Sequence, residues 1–140
     1  MTKGSFVIHS LEEHPSYVHA AERLFERIQN GSVQGVFSII GMIELLTGAK
    51  KKGEKQLAQD YKILLAHLPN FSIYGIDEAV VDLATDLRIK YDLRTPDAIH
   101  LATAISKKAK VFVTNDRRLK KVKHIRVVTL SEIDGLLKKR

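Results

Sequence analysis

Four short apolar runs, spaced by longer stretches of helical periodicity, constrain this chain more than any other feature. The runs are Ser32–Ser38 (with Val33, Val36 and Phe37), Phe71–Ile76 (with Phe71 and Ile73), Val111–Phe112–Val113 and Arg126–Leu130. Between Ser16 and Gln29, Ala21, Leu24, Phe25 and Ile28 fall at i, i+3, i+4 and i+7, and Gly31 is placed to close that helix. Ile39–Thr47 is almost continuously apolar and stops at Gly48, and Lys50–Lys51–Lys52–Gly53 reads as a solvated connection. Leu57, Tyr61, Leu64, Leu65 and Leu68 make a further stripe that ends at Pro69–Asn70. Asp77 is a natural cap for a helix carrying Val80, Leu83, Ala84, Leu87 and Tyr91. Thr95 followed by Pro96 reads as a cap and first helical position, opening a helix that runs to about Lys108. Ser131 opens a last short helix that fades into Lys138–Lys139–Arg140. Strand and helix alternating at crossover spacing predict a three-layer α/β/α domain with a mostly parallel central sheet. In such a sheet the functional site lies outside the carboxyl ends of the strands.

The 140 residues are expected to form a single domain, 1–140, long enough for a real core without covalent staples. There is no cysteine, which excludes disulfide frameworks, thiolate zinc sites, iron–sulfur clusters and thiol nucleophiles, and suits a reducing cytoplasm. No run approaches the ~18–20 apolar residues of a membrane span, and the opening MTKGSFVIHSLEEHP has the wrong make-up for a secretory signal. A cytoplasmic protein with no membrane partner is the expectation. The net charge of +7 makes a polyanion a reasonable partner.

Three carboxylates are unusual for their surroundings. Glu44 interrupts the otherwise uncharged Ile39–Leu46, where burial would demand a partner, a metal or an opening to water. The alternative is a place on the one wet side of an amphipathic helix. Asp97 lies in the first turn of the Thr95–Pro96 helix, where a negative charge also suits the helix dipole. Asp116 follows a buried strand within Thr114–Asn115–Asp116–Arg117, and by itself is an ordinary turn or capping aspartate. Together the three could converge at one edge of a parallel sheet. Closely placed carboxylates repel, and a divalent cation relieves that repulsion. Oxygen ligands without any thiolate suit Mg²⁺ or Mn²⁺ rather than zinc.

Ser38–Leu46, ending at Glu44; Leu93–Arg94–Thr95–Pro96–Asp97–Ala98–Ile99–His100–Leu101–Ala102–Thr103–Ala104; and Val113–Thr114–Asn115–Asp116–Arg117–Arg118–Leu119 occur in an order that resembles the PIN-domain ribonucleases, above all the VapC-type toxins of toxin–antitoxin pairs. The second segment is the most specific of the three, and the likeness of pattern extends over roughly Ser5–Leu130. The resemblance implies an acidic pocket that binds Mg²⁺ or Mn²⁺ and hydrolyses the RNA backbone. On the matching positions Glu44, Asp97 and Asp116 would be metal-binding catalytic acids, with Thr114 and Asn115 as supporting polar residues. It also implies a homodimer silenced by a small antitoxin protein. Loss of catalysis, leaving a module that binds nucleic acid or protein, is the alternative.

One departure from the family pattern stands out. PIN domains open with a hydrophobic strand that ends in an aspartate, often followed by Thr or Ser. Counting back from Glu13–His14–Pro15 puts that aspartate near Lys3, followed by Gly4 and Ser5. This alignment is preferred because Phe6, Val7 and Leu11 suit the family's first helix, and it predicts that the chain begins too late to hold the strand. The other alignment makes Phe6–Val7–Ile8 a shortened strand, with His9 and Ser10 in place of the Asp–Thr pair.

From Lys107 to Arg126 there are nine basic residues and one acid, Asp116. Arg117, Arg118, Lys120 and Lys121 bracket the proposed site and are expected to meet the RNA backbone without reading its sequence. His100, three residues after Asp97, reads as a hydrogen-bonded core or pocket-rim histidine rather than a metal ligand. The other histidines (His9, His14, His19, His67, His124) have no ligand spacing, and Tyr17, Tyr61, Tyr74 and Tyr91 form no stacking platform in the sequence.

Overall fold

A computed structural model describes residues 5–8 and 18–138. In chain order its elements are β1 (Ser5–Ile8), α1 (Val18–Gln29), β2 (Gln34–Ser38), α2 (Ile39–Lys51), α3 (Lys55–His67), β3 (Phe71–Tyr74), α4 (Glu78–Tyr91), α5 (Thr95–Ser106), β4 (Val111–Thr114), a 3₁₀ turn (Arg117–Lys121), β5 (Arg126–Thr129) and α6 (Leu130–Lys138).

The opening strand is present, which overturns the expectation that the chain starts too late to hold it. β1 pairs in parallel with β2, setting Ser5 against Gln34 and Val7 against Val36, and with β4, setting Phe6 against Val111 and Ile8 against Val113. It is the central strand of a five-stranded sheet ordered β3-β2-β1-β4-β5, and every pairing is parallel. The alignment placing the family aspartate at Lys3 therefore fails, and the one that reads Phe6–Val7–Ile8 as the strand holds. A central parallel strand is covered on both faces, so it shows in sequence as a short unbroken apolar run that periodicity cannot tell from a piece of helix. The residues that follow β1 in sequence are His9 and Ser10. These two lie outside the described residues, as do Lys3, Gly4, Leu11, Glu13–Tyr17 and Lys139–Arg140.

Period-two alternation sends neighbouring side chains of the strands to opposite cores. Val111, Val113 and Phe37 join Leu24, Ile28, Ile133 and Leu137 under α1 and α6. Phe112 and Val36 join Val80, Leu87, Ala98, Leu101 and Ala102 under α4 and α5. Helices thus cover both faces, which gives the three layers read from the sequence. From β1 the chain steps outward to β2 and β3, then returns to β4 and β5 on the other side. The order reverses between β1 and β4, and the crevice at the carboxyl ends of those strands is where sheets of this type hold ligands.

Local chemistry sets the element boundaries, with some changes from expectation. Asp77 caps α4 as predicted, its Oδ1 accepting from Val80 N at 2.9 Å. Thr95 is not the cap of α5: Arg94 takes that place, Thr95 and Pro96 are the first two helical residues, and the helix ends at Ser106. The run Lys50–Lys52 is less of a connection than expected, because α2 continues through Lys51 before Gly53 turns the chain at φ 76°. β3 stops at Tyr74, leaving Ile76 exposed. The last helix begins at Leu130, one residue before Ser131, and Glu132 accepts from Thr129 N as in one half of a capping box. At Gly41 a Cβ would stand 2.3 Å from the fully buried ring of Phe37, so only glycine lets α2 lie this close to the end of β2.

Candidate functional site

The turn that follows β4 is built around Asp116. Thr114, buried at the strand end, accepts the backbone N–H of Asp116 on its Oγ1 at 3.0 Å. Asp116 then caps the 3₁₀ turn, its Oδ1 accepting from Arg118 N at 3.0 Å. The Arg118 guanidinium folds back onto the same carboxylate with two donors, Nε to Oδ1 at 3.0 Å and Nη2 to Oδ2 at 2.8 Å. Such a fork is the strong geometry for an arginine–carboxylate pair. Hydrogen bonds from the Arg118 side chain are the main reason that the Asp116 carboxyl sits below its ordinary pKa, opposed by burial and by the charge of Asp97. Arg118 is raised in turn, mainly by Asp116, with Asp97 adding to the effect.

Asp97 stands in the first turn of α5 and is 4% exposed. A buried carboxylate needs a partner. Arg94, at the cap position, supplies one, with Nε donating to Oδ2 at 3.0 Å and Nη2 approaching Oδ1 at 3.4 Å. The Arg94 side chain is itself 70% exposed.

Glu44 is placed differently. Its Oε1 lies 2.7 Å from Nε2 of His100, whose side chain is completely buried while that of Glu44 is about half exposed. His100 follows Asp97 by three residues, about 4.5 Å along the axis of α5, so this contact brings Glu44 to the same helix roughly one turn from Asp97. Among the described residues no three His, Asp or Glu side chains form a group able to enclose a metal ion. The structure thus sets Asp97 in the first turn of α5 against Arg94, Asp116 at the end of β4 against Arg118, and Glu44 against His100 of α5, and among the described residues it does not close the three into one cluster.

The donor chemistry still suits a hard cation. Mg²⁺ keeps several of its waters and commonly takes only one or two protein carboxylates together with substrate phosphate. Asp97 and Asp116 are carboxylates of the kind that demand calls for. Asn115, between Thr114 and Asp116, adds a buried side-chain oxygen with no hydrogen-bond partner among the described residues. A buried acceptor left in that state is costly, and a hydrated cation beside Asp116 would satisfy it.

The four predicted backbone-binding residues divide into two pairs. Arg117 and Lys121 are exposed. Arg118 is engaged by Asp116, and Lys120 by Glu132. Arg94 was not singled out in the sequence, although its spacing of i, i+3 from Asp97 is a recognisable helical ion-pair signal. Nor were Tyr91 and His124, whose hydroxyl and Nδ1 lie 2.9 Å apart beside the same basic segment.

A sequence profile of the PIN domain matches residues 4–125. Among solved structures, the chain is similar to one from the Rickettsia felis VapBC2 complex bound to a fragment of promoter DNA. The TM-score is 0.67 at 16% identity, covering 89% of this chain and 98% of that one. It is similar to a chain of a toxin–antitoxin complex from Klebsiella pneumoniae, with a TM-score of 0.60 at 24% identity, covering 90% and 97%. PAE2754 from Pyrobaculum aerophilum gives 0.68 at 16% identity, covering 99% and 97%. At these identities the likeness is one of fold. No curated protein matches the chain in sequence.

Proposed function

The chain belongs to the PIN-domain family, a family of nucleases, and from that premise we propose that it is a divalent-metal-dependent endoribonuclease of the VapC toxin type. The observation that carries this reading is the placement of Asp97 in the first turn of α5 and of Asp116 at the end of β4, the strand next to which the sheet order reverses. Asp97 and Asp116 would hold Mg²⁺ or Mn²⁺, with Asn115 in support. The bound cation would supply charge neutralisation at the phosphate and a water of lowered pKa.

The protein's own groups do the rest. Arg94 and Arg118 have exposed guanidinium stems, so their forks can pass from carboxylate to phosphate oxygens of matching geometry. Thr114 fixes the turn that aims Asp116, and His100 holds Glu44 beside α5. Glu44 is the group in reach of solvent that can take a proton from an attacking water. Arg117 and Lys121 add charge for the RNA backbone.

Several of the similar folds come from toxin–antitoxin complexes, which supports an antitoxin protein as partner, and a homodimer is the form the family resemblance implies. The same likeness, with the absence of cysteine, supports action in the cytoplasm, and no helix among the described residues is long and apolar enough to cross a membrane.

A second reading has its own support. The residue following β1 is His9 where the family carries aspartate, and both Asp97 and Asp116 are already neutralised by arginines. On that reading the domain binds nucleic acid or protein without cutting. RNA cleavage assayed with Mn²⁺, with EDTA and with Asp97→Asn separates the two. Cleavage that EDTA and the substitution both abolish supports the nuclease, whereas RNA binding without cleavage supports the binding module.

A further inference from the structure

β5 is an outer strand, and on it lies an open groove of about 560 Å³ lined by Lys120 and residues 122–127. We propose that this groove is a second binding site for the RNA phosphodiester backbone, holding the part of the strand that runs on from the acid pair. The proposal rests on the nuclease reading and adds to it where the substrate lies.

The sign of the lining is the first argument. Its ionisable side chains are Lys120, which is paired with Glu132 outside the lining, Lys123, His124 and Arg126, with no carboxylate among the lining residues. The second is that the groove is built, not merely charged. Lys123 Nζ donates to the Lys120 carbonyl at 3.0 Å, and Lys123 N donates to the Tyr91 hydroxyl at 3.2 Å. The Tyr91 hydroxyl also lies 2.9 Å from His124 Nδ1, and the two rings meet edge to face at 5.7 Å. Lys123 and Arg126 then offer N–H donors to phosphate oxygens, while Lys120 is held by Glu132.

The floor is apolar, formed by buried Val122 and half-buried Ile125 and Val127, and accepts the faces of sugars and bases. Continuity gives the direction. Lys120 follows Asp116 by four residues of 3₁₀ turn, about 8 Å at ~2.0 Å per residue, so the groove begins beside the acid site. An acidic peptide would satisfy the charge, but this continuity with Asp116 and Arg118 favours the strand that the acid site cuts.

The test measures binding in the Asp97→Asn protein with EDTA, where no cleavage competes. Two single-stranded RNAs are compared, of about 4 and about 16 nucleotides, the span of common single-strand sites. Adding Lys123→Gln with Arg126→Gln should weaken binding of the long RNA about tenfold and leave the short one unchanged. It should also lower the steepness of the salt dependence by about 1.4, from ~0.7 for each of two lost phosphate contacts. Tyr91→Phe, which leaves every charge in place, should weaken the long RNA about threefold. Long-RNA affinity and salt slope that stay unchanged in the double variant overturn the site, and so does Tyr91→Phe binding like its parent, since diffuse attraction alone needs no hydroxyl. Loss of polyglutamate binding with long-RNA binding intact would assign the groove to acidic peptides and also overturn it. If the wild-type protein fails to cleave RNA with Mn²⁺ but the double variant loses long-RNA affinity, the nuclease reading falls and the groove assignment stands.

Discussion

Two of the carboxylate contacts at the site, Asp116–Arg118 and Glu44–His100, are built on opposite plans. Asp116 and Arg118 are two residues apart, share one short turn, and place a 77%-exposed arginine on a partly exposed acid. Glu44 and His100 are separated by 56 residues and tie α2 to α5 through a histidine that no solvent reaches. A local pair with an exposed arm has little to lose by opening, because water replaces most of what is given up. The pair between helices cannot open without disturbing the packing around His100. The first contact is therefore suited to exchange partners, arginine for cation or phosphate, while the second holds a carboxylate in place. In the pair between helices the buried His100 is the support and Glu44 the carboxylate it holds toward solvent.

Substitutions should separate those roles. The largest effect is expected at Asp97, where Asp97→Asn removes one of the two carboxylate charges proposed to hold the cation. At about 1.4 kcal/mol per tenfold, losing several kcal/mol of transition-state stabilisation lowers the cleavage rate on the order of 10²–10³, measured with Mn²⁺ on single-stranded RNA. Next comes His100→Ala, which empties a buried site and should cost ~2–4 kcal/mol in urea unfolding. Glu44→Gln keeps the hydrogen bond to His100 and should cost well under ~1 kcal/mol while still reducing cleavage. Equal stability losses in the two variants would break the distinction between chemistry and support.

Gly41→Ala tests the same strut from its base. The added methyl meets the buried Phe37 ring at 2.3 Å, and overpacking of this kind costs ~1–3 kcal/mol, read from the unfolding midpoint. Arg118→Ala should act in the opposite sense on ligand binding. With no arginine competing for Asp116, Mn²⁺ should bind about threefold tighter by calorimetry, while long-RNA affinity falls. Unchanged metal affinity would show that the fork is not in competition with the cation.

The smallest effect concerns pH. Glu132 accepts from Lys120 and from the Thr129 backbone and hydroxyl, and these bonds, led by Lys120, lower its pKa from 4.5 to about 2. A carboxylate lowered on folding stabilises above its unfolded value, and that contribution drains away as pH falls from about 4.5 toward 2. Glu132→Gln should flatten the acid limb of stability across that window. Because Glu132 is well exposed, the change in unfolding midpoint should be small.

Much of this was legible in the sequence, for reasons that particular residues make clear. Leu24, Phe25 and Ile28 repeat with helical period because α1 has one wet face, and Asp77 was readable as a cap because capping is a local act. Asp97 and Asp116 were legible because their segments carry a recognisable pattern around the acids. β1 was misjudged because Ser5–Ile8 is four residues long, and its identity as the central strand depends on β2 and β4. The Glu44–His100 contact was out of reach for the same reason, since only the tertiary fold brings α2 to α5. The Arg118 fork depends on a 3₁₀ turn that no periodicity announces.

The central place of β1 also bears on how the protein comes into being. Phe6 must find Val111, 105 residues later in the chain, before the middle of the sheet can close. At ~5–20 residues per second on the ribosome, the first strand waits on the order of 5–20 s for its second neighbour. Asp97 and Asp116 come from the same late part of the chain, so no nascent fragment lacking β4 can assemble the acid pair. A chain arrested before Val111 should therefore lack the middle of its sheet and be open to protease until synthesis is nearly done.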